Sequence, residues 1–263
     1  MISAYINSIG VAAPGIENWA HACKIFSGEV SYCYTKLEKY KPELLPANER
    51  RRATDMVRLA FRICEQAMSQ SSINMHDCAS VFASSDGDYF IIDQICRALL
   101  TPEKMVSPTQ FHNSVHNSAA GYWSIAARSH HASNSISALD DSFILGLVEA
   151  ITFCQLENQP VLFAAYDISP PEPLLERRQV HHDFGVALLL VPSADLNSLA
   201  KLEISTSSTI NTASFQSELS FLCETNPAAR SLPILEKLSL SLAGEISFNV
   251  DCGSGYKVNI EPC

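Results

Sequence analysis

Residues 107–150 read SPTQFHNSVHNSAAGYWSIAARSHHASNSISALDDSFILGLVEA. Ser114 to Arg128 carries a helical pattern through the small pair Ala119-Ala120 and Gly121. Asn134 to Leu139 reads as a short strand, and Ser142 to Leu156 as a very apolar helix. Between these two, Leu139-Asp140-Asp141 must turn the chain sharply. A strand-to-helix turn holds a side chain at a helix N-terminus, where backbone N–H groups and the helix dipole favour negative charge. Cysteine nucleophiles often occupy such turns because the dipole stabilises the thiolate. Here the turn carries acids, and no cysteine.

On the N-terminal side, Ile2 to Ile9 alternates as a strand, and Glu17 to Phe26 is a short amphipathic helix. Ser27 to Pro46 has no clean period and reads as an excursion. A long helix is expected from Asn48-Glu49, with Met56, Leu59, Ala60, Ile63 and Ala67 on one face. Ala79 to Ser84 is a buried strand, and Tyr89 to Leu100 returns as a helix. On the C-terminal side, Val161 to Tyr166 and Phe184 to Val191 are strands around a charged, proline-bearing loop (Pro170 to His182). Further on, Leu202 to Ser207 and Glu245 to Val250 look like strands, with a helix at Leu232 to Leu242 between them. Strands alternating with helices imply a mostly parallel sheet with helices on its faces.

The 263 residues are 47% hydrophobic and only 17% charged. That balance suggests a chain that hides surface against another subunit. A formal net charge of −10 argues against a nucleic acid or an anionic membrane as partner. One basic cluster, Arg50-Arg51-Arg52 with Arg58 and Arg62, runs against the trend. Nine cysteines occur without any CxxC pair, and Met1 to Gly10 does not read as a signal peptide. No apolar run reaches membrane-spanning length. Reduced core cysteines and a cytoplasmic location are therefore the expectation, with no cofactor and no metal.

The chain resembles the β-ketoacyl synthases of the thiolase superfamily over about residues 1–192. The opening AYINSIGVAAPG looks like their first strand and turn, and VFASSDGD like their second strand and loop. Asn117 through Gly121 to Ser135-Ile136-Ser137 is similar to their approach to the nucleophile. PVLFAAYD and FGVALLLV look like the strands that close their first half. The resemblance implies an α/β, thiolase-like layered fold with a nearly complete N-terminal half (1–192). A shortened C-terminal portion (193–263) would pack on the same core.

Counted without gaps from Gly121, the family's nucleophilic cysteine position falls on Asp140. A carboxylate cannot replace a thiolate as an acyl acceptor, because the mixed anhydride formed is too reactive to store. The family also uses two histidines from its second half, and this chain has none after His182. The pattern is similar to the chain-length factors, and most to the short partner of aryl polyene biosynthesis. That resemblance implies a non-catalytic subunit beside a catalytic β-ketoacyl synthase, fed by an acyl carrier protein. It also implies that Gln110, Phe111, His112, Asn113 and Asn117 belong to the partner interface and acyl tunnel.

Plainer readings stand beside these. Asp140 and Asp141 suit a helix cap or first turn, typically contributing about 1 kcal/mol; a carboxylate assisting decarboxylation in the partner is the sharper alternative. His112 and His116, with His130 and His131 nearby, have one spacing of a zinc site but no supporting carboxylate or cysteine. Ser142, His181 and Asp167 could be written as a hydrolase triad, yet no G-x-S-x-G elbow accompanies them. A stand-alone acyltransferase or hydrolase with a non-cysteine nucleophile is the alternative function. The arginine cluster either meets the acidic carrier or is a solvated helix face supported by Glu49 and Asp55. Tyr122 and Trp123 read as packing, and Ser84, Ser85, Asp86 and Asp88 as caps of the following helix.

Overall fold

The computed structural model describes residues 1–208, 215–250 and 254–263. Strand β1 (Ile2–Ala12) leads through α1 (Trp19–Phe26) and a long excursion to α2 (Ala47–Arg52) and α3 (Asp55–Ser69). Next come β2 (Ala79–Ala83), the helices α4 (Tyr89–Leu99), α5 (Pro108–Asn113) and α6 (Ser118–Ala127), and β3 (Ser133–Ile136). Helix α7 (Ser142–Glu157), β4 (Val161–Asp167), the single turn α8 (Leu174–Arg177) and β5 (Phe184–Val191) complete the first portion. The remainder is β6 (Ala200–Ser207), α9 (Ser220–Thr225), α10 (Leu232–Ser239), β7 (Gly244–Val250) and β8 (Ser254–Pro262).

All eight strands form one sheet in the order β3-β2-β4-β5-β1-β6-β8-β7. The expected mostly parallel sheet is corrected here. Only β2 pairs in parallel, with β3 and with β4; the other described pairings are antiparallel. Parallel neighbours need a long crossover, and α4–α6 and α7 supply two. The connection from β4 to β5 carries only the short α8, and the chain returns antiparallel.

Alternation along the central strands builds a core on each face. Val161, Phe163 and Ala165 of β4 pack on the side of α7 and α1. Leu162, Ala164 and Tyr166 pack on the side of α3 and α6. In β1 the register shifts between Ile6 and Ser8. That bulge keeps Ile6 and Ile9 on one face although they are an odd three positions apart. Across it Ser8 donates to the Ala67 carbonyl at 2.8 Å, and a Cβ on Gly10 would stand 2.0 Å from the Ile63 oxygen. Helix α3 therefore lies directly against β1.

The C-terminal strands are covered on one side only. Leu202, Ile204, Phe248, Val258 and Ile260 join the α7-side core, while Lys201, Glu203, Lys257 and Asn259 point the other way and stay partly exposed. A layered first portion is thus extended by a thinner flap, the truncated second half. Strand β8 lies outside the expected strands because Gly253 and Gly255 interrupt the apolar pattern where it begins.

Two helix boundaries also differ from expectation. The long helix is broken at Ala53-Thr54, where Thr54 leaves helical geometry and its hydroxyl caps α3 through the Val57 amide. The helix expected from Ser114 starts at Ser118, after a separate turn of helix, α5. Cysteine placement is mixed: Cys64, Cys78 and Cys154 are buried as expected, whereas Cys33, Cys96 and Cys263 are exposed.

Candidate functional site

The strand-to-helix turn is present. After β3 ends, Ala138 takes φ −149° and ψ +41°, Leu139 takes φ +50°, and one tight turn carries Asp140 and Asp141 into α7. A left-handed conformation costs a branched L residue about 1–2 kcal/mol, and the surroundings must hold it. The Ser142 hydroxyl does part of this, donating to the Leu139 carbonyl at 2.7 Å and accepting from the Ala138 amide at 2.9 Å. In a nucleophile elbow the strained residue is the one that presents its side chain outward. Here the strain falls on Leu139, one position before Asp140, and its side chain is 57% exposed. A leucine has no group that can attack a thioester.

The two acids do not cap α7. Neither carboxylate takes a cap hydrogen bond from the α7 amides. Instead Arg178 Nη1 meets Asp140 Oδ1 at 2.5 Å, and Arg230 Nη1 meets Asp141 Oδ1 at 2.7 Å. Arg178 also pairs with Asp86, just after β2. Arg230 further donates to the Asp140 carbonyl at 2.6 Å and the Asn249 carbonyl at 3.1 Å. Asp140, Asp141, Arg178 and Arg230 line a polar cavity of about 540 Å³ with Gln179, Thr225, Asn226 and Cys223. Burial pushes the Cys223 thiol up to about 12, and its Sγ is bonded to the Ala229 carbonyl at 3.0 Å. It is held as a thiol rather than as a thiolate.

Beneath the elbow lies a buried carboxyl, Asp167 at the end of β4. It accepts from the Ser85 amide at 2.8 Å and from the Ser84 hydroxyl at 3.1 Å. Desolvation outweighs these donors and raises its pKa to about 7. Ser85 Oγ lies between Asp86 and Asp167, 2.7 and 2.8 Å from an oxygen of each. The expectation that this serine–aspartate run caps the next helix therefore holds only for Asp88, which accepts from the Ile91 amide at 3.2 Å.

The tunnel and interface candidates are separated by the fold. Phe111 is 69% exposed, and His112 and Asn117 are exposed beside it. Asn113 is buried, donating to the Arg52 carbonyl at 2.9 Å and accepting from Tyr122 at 3.0 Å. Gln110 donates to Gln94 at 2.5 Å and lines a larger cavity of about 810 Å³ with Tyr40, Leu59, Phe90 and Ile91.

The other constellations are dispersed. His116 contacts the Ser84 carbonyl at 3.0 Å, His112 meets the Tyr122 ring edge-on, and His130 meets His76. Among the described residues no group of three or more metal-ligating side chains converges. Ser142 is spent on the elbow backbone and Asp167 on Ser84 and Ser85, so the written triad does not form. The arginine cluster divides: Arg51 and Arg52 stay exposed, with Arg52 paired to Glu49 at 3.9 Å as on a solvated face, while Arg50, Arg58 and Arg62 turn to backbone carbonyls. Arg50 donates to the Leu45 carbonyl at 2.7 Å, Arg58 to Tyr40 and Arg50 carbonyls, and Arg62 to those of Glu17 and Glu38. These arginines strap the 27–46 excursion onto α3. Arg178, Arg230, Asp86 and Leu139 are the site residues that sequence reasoning missed. Each acts through a partner far away along the chain or through backbone strain, and neither leaves a local pattern.

A family model described as β-ketoacyl synthase, N-terminal domain, matches residues 28–239. The fold is similar to a chain of the ketosynthase (ApeO) in complex with its chain length factor (ApeC) from Xenorhabdus doucetiae. The TM-score is 0.73 at 24% identity, covering 98% of this chain and 100% of that one. It is also similar to a type II PKS acyl-carrier protein in complex with its ketosynthase bound to the hexaketide, with a TM-score of 0.79, 11% identity, and 100% and 99% of the two chains covered. The ishigamide ketosynthase/chain length factor gives a TM-score of 0.75 at 9% identity, with 100% and 99% covered. At these identities the likeness is one of fold. Comparison with curated proteins yields no match.

Proposed function

This chain belongs to the β-ketoacyl synthase N-terminal domain family, and we propose that it is a non-acylated, chain-length-factor-like subunit. It pairs with a catalytic β-ketoacyl synthase, shapes the shared acyl tunnel, and so limits growth of a carrier-bound chain in type II polyketide synthesis of the aryl polyene kind. The observation that carries this reading is the elbow: the turn that would aim a nucleophile is kept, strained and well supported, yet it presents Leu139.

The partner surface is argued from unmet burial. Helix α4 (YFIIDQICRAL) is strongly apolar, yet only Ile91 is buried. Phe90, Leu99, Leu100, Met105, Phe111 and Val115 are exposed in the same segment. Contiguous exposed apolar side chains on one arm mark an interaction site. The edge of β3 is also open on this half of the sheet, and open edges invite pairing or cover. Among the described residues no helix is long and apolar enough to cross a membrane.

Size-exclusion chromatography with light scattering tests the pairing. The chain purified alone should self-associate or aggregate, and co-expression with its ketosynthase should give a 1:1 complex. A well-behaved monomer that shows no shift with the ketosynthase contradicts the proposal. In an active pair, Gln110→Ala and Phe111→Ala should change product length rather than abolish synthesis.

A further inference from the structure

Acidic residues in the first turn of a helix usually cap it or answer its dipole. At this elbow neither carboxylate makes the cap hydrogen bond. The turn is closed by Ser142, and each carboxylate faces an arginine from a remote segment. Arg178 comes from the loop before β5 and also holds Asp86 after β2. Arg230 comes from the turn before α10 and spans Asp141, the Asp140 carbonyl and the Asn249 carbonyl at the end of β7. Asn226 in the same turn donates to the Asp167 carbonyl at 3.1 Å and the His182 carbonyl at 2.7 Å. The C-terminal portion is thereby fastened to the elbow by hydrogen bonds and charge.

We propose that Asp140 and Asp141 are positioning residues: with Arg178 and Arg230 they form a two-armed electrostatic latch that holds the strained elbow in place and fastens the C-terminal portion onto it. The latch goes beyond the silent-subunit reading and does not depend on the identity of the partner. Its arms are unequal. The Arg230 and Asp141 side chains are 27% and 11% exposed, whereas the Asp140 side chain is 63% exposed. Solvent screens the outer arm. Breaking the inner arm takes the ion pair away from a poorly solvated charge. Asp141 is therefore the principal anchor and Asp140 the minor one. A capping or dipole role would rank the two acids alike, since both lie in the same turn.

Hydrogen exchange followed by mass spectrometry on the full chain separates these cases. Asp141→Asn and Arg230→Gln should each speed exchange across 139–150 and 226–250 about tenfold, while α3 keeps its parental rate. Asp140→Asn should change it by less than about threefold. Exchanging the charges, Asp141→Arg with Arg230→Asp, should recover part of the lost protection. Arg230→Lys keeps the charge but shortens the reach to Asn249, and should fall between; it carries the test if the stronger variants do not fold. Unchanged exchange in Asp141→Asn and Arg230→Lys, equal effects at Asp140 and Asp141, or no recovery on charge exchange would overturn the latch.

Discussion

Asp167 shows how one buried group makes stability depend on pH. Its carboxyl is raised to about 7 in the fold, against an ordinary value of about 3.9 in the unfolded chain. Between these values the folded state binds the extra proton, so stability falls as pH rises from about 4 to 7 and levels off above. Asp167→Asn keeps an oxygen acceptor for Ser84 and Ser85 and removes the titration. Its thermal midpoint should decline less than the parent's over that range; parallel declines would mean that Asp167 does not titrate there. Residues also show what was readable beforehand. The acid pair stood out in the sequence because a nucleophile was missing beside it. That Leu139 carries the strain, and that the acids serve arginines rather than amides, could not be read. A positive φ and a contact across about ninety residues leave no local periodicity.

Among the elements, the α4–α5 arm and the α3–β1 contact make opposite predictions. The arm is exposed and apolar, so Phe111→Asp should weaken binding to the ketosynthase by about tenfold or more while leaving the melting temperature of the chain alone nearly unchanged. Equal binding would remove Phe111 from the interface. The α3–β1 contact is closed: with a Cβ 2.0 Å from the Ile63 oxygen, Gly10→Ala should destabilise the chain by about 3 kcal/mol, read by urea unfolding. Strand and helix identities in the first portion followed from the length of the apolar runs, short in β2, β4 and β5 and 16 residues in α7. Boundaries followed less well. The run Glu49-Arg50-Arg51-Arg52-Ala53 is helix-favouring throughout, and only the Thr54 cap reveals the break.

In the whole molecule, one sheet does the work of a double-layered fold. Its first five strands carry helices on both faces, and its last three extend the edge beyond β1 with a core on a single face. The resemblance anticipated the truncated second half but not how it joins, since antiparallel pairing of β6 with β1 depends on long-range register. The resulting molecule keeps the elbow, lacks a thiolate at it, and exposes an apolar arm. Incubation of the reconstituted pair with an acyl carrier thioester, followed by intact-protein mass spectrometry, tests the central claim most directly. The account predicts an acyl adduct on the ketosynthase subunit and none on this chain. An acyl adduct on this chain, at any residue, would contradict it.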